Sequence, residues 1–161
     1  MNQDGGEAPV ATGVPAVTLP ALVFRLGGQD LAAILSPGAR IVDVDSWTRI
    51  PTAPPYVLGL ANIKGKVLSV IDIREKVGLP GQPWSLPLRA LELGSDALRV
   101  AVAIEEVVGH EGYDPAQRSA EDPSEALGGY GLGKVDFAGH QVMLVDVLAA
   151  VDSLRLRKAT G

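Results

Sequence analysis

Apolar residues in this chain come in short runs, not at helical spacing. Leu22-Val23-Phe24-Arg25-Leu26 and Leu31-Ala32-Ala33-Ile34-Leu35 are separated by Gly27-Gly28-Gln29-Asp30, a turn-rich link of hairpin length, so two paired strands are expected. Ile41 to Val44 and Trp47 to Ile50 read as extended. Val67 to Ile71 is interrupted only by Ser69, the pattern of a strand covered on both faces and lying near the centre of a sheet. Ser36-Pro37 offers an N-cap followed by proline at a first helical position, which predicts one helical turn. Asp72-Ile73-Arg74-Glu75 has the spacing of a capping box with Gly78 as the stop, so a short helical turn is expected to begin at Asp72.

The second half echoes the first. Gly59 to Gly65 followed by Val70-Ile71-Asp72-Ile73 is matched by Gly131 to Val135, Gly139 and Leu144-Val145-Asp146-Val147, and Ala21 to Gly27 is matched by Leu88 to Gly94. Echoes in the same order, about 67 to 74 residues apart, point to duplication of one small β unit. Two small barrels packed tightly together are expected, with Pro80 to Pro87 as the crossover between them, inside a wider boundary region of residues 78–90. Residues 1–19 have the Gly, Pro, Ala and Thr content of a mobile tail, residues 20–155 form the single domain and residues 156–161 a C-terminal tail. Glu111 to Gly129 reads as a second long, mobile loop.

Composition then removes several function classes. At 161 residues, with 47% hydrophobic and 20% charged, the chain suits one globular domain. A formal net charge of -5, with only two Trp, three Tyr and two Phe, argues against nucleic acid, which calls for clustered cations and stacking platforms. There is no cysteine, the opening residues lack the basic start of a signal peptide, and no apolar stretch approaches membrane-spanning length. A cytoplasmic protein without direct membrane contact is expected.

Candidate chemistry is sparse. Asp72 and Asp146 occupy equivalent places in the repeat; an acid and base pair is one reading, and structural helix caps explain both without an active site. No serine has a nucleophile-elbow context, His110 and His140 have no metal-binding spacing, and Lys64-Gly65-Lys66 lacks the flanks of a phosphate loop and reads as a hairpin turn. No catalytic, metal or cofactor residue is assigned. Surface for partners remains.

Ile50 to Arg74 resembles the CheW family of chemotaxis coupling proteins, whose pattern is Pro-x-x-Pro-x-hydrophobic-x-x-Gly-hydrophobic-x-Asn-hydrophobic-Arg-Gly and then a strand closing in Asp-hydrophobic-Arg. Pro51, Pro54, Gly59, Asn62, Gly65, Asp72 and Arg74 fall in register, with Lys64 where the family usually has Arg and Ser69 where it often has Pro. Leu22 to Gly27 looks like the family's opening strand, and the resemblance covers residues 21 to 155. It implies an all-β fold with short helices, made of two intertwined five-stranded SH3/OB-like barrels. It implies a non-catalytic adaptor that couples a CheA-type histidine kinase, through its regulatory domain, to the cytoplasmic tips of methyl-accepting chemoreceptors, and is recruited to membrane-bound arrays. Gly59-Leu60-Ala61-Asn62 is also similar to coupling proteins of type IV pilus systems, and a small ligand- or nucleic-acid-binding barrel is the more distant alternative. Arg40, Gly59, Asn62, Lys64 and Gly65 are the implied receptor and partner residues. Arg40 stands where the family has a Glu that pairs with the motif Arg, so Arg40 and Lys64 are expected as like charges flanking the receptor groove, and Arg40→Glu is expected to rebuild the family pair at little cost in stability.

Overall fold

In the computed structural model the described residues are 18–94, 99–117, 126–137 and 139–154; both predicted tails lie almost wholly outside them. Among the described residues ten strands occur in order: β1 (Leu19–Leu26), β2 (Gln29–Ile34), β3 (Arg40–Val44), β4 (Val57–Ile63), β5 (Lys66–Ile71), β6 (Leu88–Gly94), β7 (Arg99–Ile104), β8 (Glu106–Tyr113), β9 (Gly131–Phe137) and β10 (His140–Val145), then helix α1 (Val147–Ser153). They form two five-stranded mixed sheets, ordered β9-β10-β2-β1-β8 and β4-β5-β7-β6-β3. Each sheet takes the first two strands of one half and the last three of the other, and a parallel pair (β10 with β2, β5 with β7) seals the exchange. The duplicated units are thus intertwined. In the second sheet the segment after β3 reaches the opposite edge strand, Thr48 and Leu60 exchanging backbone bonds of 2.8 and 2.9 Å, which bends the sheet toward a barrel.

Continuous apolar runs arise because both faces of the inner strands are covered. Leu22, Phe24, Leu26, Leu31 and Ala33 point into a central core between the sheets, where Leu91, Leu93, Val100, Val102 and Ile104 meet them. The alternate residues fill a second core within each sheet: Ala21, Val23 and Ala32 in the first, Ala90, Ala101 and Ala103 in the second.

Several local expectations change. Pro80 to Pro87 joins β5 to β6, two strands of one sheet, so it is not the link between barrels; the chain changes sheets at residues 35–39 and at Glu105. The sequence pattern could not reveal this, because strand exchange is a long-range pairing. Ser36 to Ala39 is a β-turn closed by the Ala39 N–H on the Ser36 carbonyl at 3.0 Å, in the short connection between β2 and β3. Glu111 to Tyr113 belong to β8, and residues 118–125 of the expected loop lie outside the described residues. β5 is second from the edge with Val67 64% exposed, and β7 is the central strand. The register also aligns Ala21 with Ala90, two residues from the match read in the sequence; a slip of two keeps every side chain on its face and is invisible to a hydrophobic pattern.

One polar cluster joins the two sheets. Arg74 is 7% exposed and donates through Nε and Nη2 to Asp72 (3.1 and 3.0 Å), through Nη1 to Glu105 (3.1 Å) and through Nη2 to the Gln82 carbonyl (2.8 Å). Its guanidinium lies 4.3 Å from the centre of the Trp84 ring. Glu105 in turn accepts the Gly27 and Gly28 N–H groups at 3.0 Å each, tying the β1–β2 turn to the junction between β7 and β8. Asp72 also accepts the Arg74 N–H at 2.9 Å, but the chain beyond it makes only a single turn, in which Val77 N–H bonds the Ile73 carbonyl. Glu75 does not close a capping box, because the Asp72 N–H it would take donates to the Tyr56 carbonyl at 2.9 Å. Asp146, at the equivalent position, accepts the Ala149 N–H at 3.0 Å at the start of α1.

The two aspartates therefore have different costs of removal. Asp146→Ala loses one cap and is expected to destabilise by about 1 kcal/mol. Asp72→Ala also strips the main partner from a buried guanidinium and is expected to cost about 1.5 to 3 kcal/mol. Urea unfolding of both variants measures the difference.

Candidate functional site

The motif segment folds as the β4–β5 hairpin. Lys64 (φ +53°) and Gly65 (φ +87°) form its two-residue loop, and positive φ at both positions is the geometry of a type I′ turn. The Asn62 side-chain oxygen accepts the Gly65 N–H at 3.0 Å and braces the loop; Asp136 and Gly139 repeat the brace at 2.8 Å in the β9–β10 hairpin. Gly59 has a packing reason: a Cβ there would sit 2.9 Å from the Trp47 ring and 2.9 Å from the Thr48 carbonyl oxygen. Gly59, Asn62 and Gly65 thus shape the hairpin, while Lys64, exposed and without an ion-pair partner among the described residues, is the part offered outward.

Arg40 belongs to the same sheet, on the edge strand β3 opposite the hairpin's own edge. Its cross-strand neighbour is Glu92, which is 1% exposed. Arg40 Nε–H donates to one Glu92 oxygen at 3.1 Å and Arg99 Nε–H to the other at 3.1 Å. Arg99 also donates to the Gly94 carbonyl (3.1 Å) and the Gly38 carbonyl (2.8 Å), pinning the turn before β3. Burial pushes the Glu92 carboxyl up, but hydrogen bonds from Arg40 and Arg99 and their charges outweigh it and hold it below its ordinary value. Asp72 behaves likewise: burial raises it, and the Arg74 side-chain and backbone bonds win. The Trp84 indole N–H is near enough to Asp72 to favour its charge, yet makes no hydrogen bond of good geometry and is buried without a partner.

The pair with Glu92 changes the expectation for Arg40→Glu. A carboxylate at position 40 would face a buried carboxylate, so the substitution destabilises; it does not rebuild a harmless surface pair. The sequence signal for Glu92 was present, an acid flanked by Leu91 and Leu93 inside an apolar strand, but its partner was not legible without the register.

Among the clefts where the two sheets meet, two bear on the candidate site. One, of about 570 Å³, is lined by Arg74, Glu105 and the Pro80 to Pro87 segment, including Trp84. The other, of about 270 Å³, is apolar, lined by Ile34, Ala39, Leu93, Leu132 and Leu148, with Ile34 38% and Leu148 45% exposed. The hairpin lines neither. Ile34 and Leu148 were missed as candidates because an exposed apolar residue at a strand end carries no motif. His110 and His140 lie exposed on β8 and β10. Among the described residues no three His, Cys, Asp or Glu side chains are grouped to hold a metal ion, and no helix is long and apolar enough to cross a membrane.

The fold is thus a duplicated, strand-exchanged pair of five-stranded sheets with an apolar cleft where they meet. The CheW-like domain model matches residues 20–155, and the chain belongs to that family, whose members are non-catalytic scaffold proteins of chemotaxis signalling. It is 28% identical over 120 residues to the chemotaxis protein CheW of Helicobacter pylori, covering 69% of each chain. It is 32% identical over 62 residues to CheW of Bacillus subtilis, where the match covers 37% of this chain and only 38% of the relative, and 23% identical over 90 residues to protein PilI of Pseudomonas aeruginosa, covering 56% of this chain and 51% of PilI. The crystal structure of the scaffolding protein TtCheW from Thermoanaerobacter tengcongensis superposes with a TM-score of 0.67 at 16% identity, covering 86% of this chain and 90% of that one.

The sign of the pH dependence is set by the Glu92 geometry. A carboxyl held below its unfolded value, ordinarily about 4.3, contributes stability that is present above that value and lost as pH falls through the folded one. Glu92→Gln is therefore expected to be less stable than the wild type at pH 7, with the gap closing as the pH is lowered below about 4.3. Urea unfolding of both proteins from pH 7 to pH 3 measures it, the wild-type comparison cancelling the parallel contribution of Asp72.

Proposed function

We propose that this chain is a cytoplasmic coupling scaffold that holds the regulatory domain of a CheA-type histidine kinase and the cytoplasmic tip of a methyl-accepting chemoreceptor, with no turnover of its own. The observation that carries the receptor half is the apolar cleft at the seam, where Ile34 and Leu148 stay exposed because no segment of the described chain covers them. A helical receptor tip with an apolar stripe fits such a groove. The exposed cations Arg40 and Lys64 flank the second sheet and favour a tip that also presents acidic residues, since complementary charge sets specificity and association rate. Kinase binding is assigned to apolar barrel surface away from that seam, in an interface of about 1,200 to 2,000 Å². Membrane arrays are reached through the partners.

The similarity to PilI, together with the segment Gly59-Leu60-Ala61-Asn62, favours a second reading, in which the array served governs a type IV pilus.

Calorimetry with the kinase regulatory domain and a receptor-tip fragment from the same organism tests the proposal. Leu148→Asp is expected to weaken receptor binding at least about tenfold, as removal of an interface anchor does. Lys64→Glu is expected to weaken it with a marked dependence on salt. Kinase binding is expected to survive both; loss of kinase binding in step with receptor binding would overturn the assignment of separate surfaces.

A further inference from the structure

Glu92 is where one sheet departs from its own duplicate. Leu144 lies opposite Ala32 in the first sheet and Val70 opposite Ala101 in the second, so Ala32 and Ala101 correspond. Their antiparallel neighbours are Val23 and Glu92, and the neighbours of those are Gly109 and Arg40. Val23 is buried in an apolar inner core. At the same place the second sheet buries a carboxylate and sets a guanidinium beside it. A buried ion group is no more stabilising than well-packed apolar residues of similar volume, and the duplicate supplies that apolar solution. Stability of the sheet does not account for the triad.

The use made of each guanidinium differs. Arg99 is closed: Nε is spent on Glu92 and both terminal nitrogens on the Gly38 and Gly94 carbonyls. Arg40 is bonded through Nε alone, its side chain is 46% exposed, and its two terminal nitrogens make no hydrogen bond among the described residues. An arginine held in this way has lost side-chain freedom but keeps the pair of donors that match the two oxygens of a carboxylate. Lys64 and Lys66 lie exposed in the hairpin of the same sheet, in a chain of net charge -5.

We propose that Arg40 is a carboxylate anchor, its guanidinium presented by the buried Glu92 so that both terminal nitrogens donate to one Asp or Glu of the receptor tip. The inference rests on the proposed receptor binding and adds which side chain reads the partner's acid. Glu92 acts through Arg40 as a positioning residue.

The test uses the full chain and a receptor-tip fragment in calorimetry, with the kinase regulatory domain as a second ligand. Arg40→Lys keeps the charge and removes the fork; it is expected to lose about tenfold in receptor affinity with kinase affinity unchanged, because a point cation does not replace a bidentate donor. Receptor affinity equal to that of the wild type would overturn the anchor. Should Arg40→Lys unfold, the acids of the receptor fragment are changed singly to their amides and titrated against wild-type protein and Arg40→Gln. One acid is expected whose neutralisation weakens wild-type binding about tenfold and leaves Arg40→Gln binding unaltered, the signature of a direct pair. If no acid behaves so, the anchor is overturned. Wild-type protein that binds the kinase domain but no receptor fragment would overturn the receptor reading itself, and the anchor with it.

Discussion

Burial of both faces of β1, β2, β6 and β7 is the constraint on which the other features depend. Consecutive residues at the middle of each strand are buried, so none of the strands can lie at the wet surface of a two-layer fold. Exchange between the duplicated halves solves this: one face of each strand enters the central core between the sheets and the other the inner core of its own sheet. The inner faces carry mainly alanine, small enough for the confined interior of a bent five-stranded sheet, while the central core takes Leu, Phe, Ile and Val. A half-chain of this design has no complete sheet.

Such a core leaves the seam between the sheets to be closed by other means, and the two sides are treated differently. On one side Arg74 gathers Asp72, Glu105, the Gln82 carbonyl and the Trp84 ring, and Glu105 passes the connection on to the backbone of the β1–β2 turn. A guanidinium at 7% exposure is tolerated because nearly all of its donors are engaged by two carboxylates and a carbonyl. On the other side Leu148 stands where the repeat has Arg74, and the cleft remains apolar and open. Duplication thus yields one cleft bridged by an ion-pair network and one lined by apolar side chains.

The same comparison isolates Glu92. It is as buried as its counterpart Val23, yet it differs in chemistry. Arg40, set on an edge strand, is held through its Nε by that buried acid.

The sequence by itself determined the class of fold, the duplication and the hairpin that carries the family motif. Each of these is local or periodic: strand-length apolar runs, Gly-rich turns, and a motif whose Asn62 and Gly65 brace a two-residue loop. Asp146 as a cap was legible for the same reason, since cap and helix lie within three residues. Tertiary structure decided what depends on residues far apart in the chain. It paired β2 with β10 and β5 with β7, which turned the supposed crossover at Pro80 to Pro87 into a link within one sheet. It assigned Asp72 chiefly to Arg74, and it gave Arg40 a partner 52 residues away. Register across a sheet is fixed by the summed burial of both faces, a quantity that no single stretch of sequence contains.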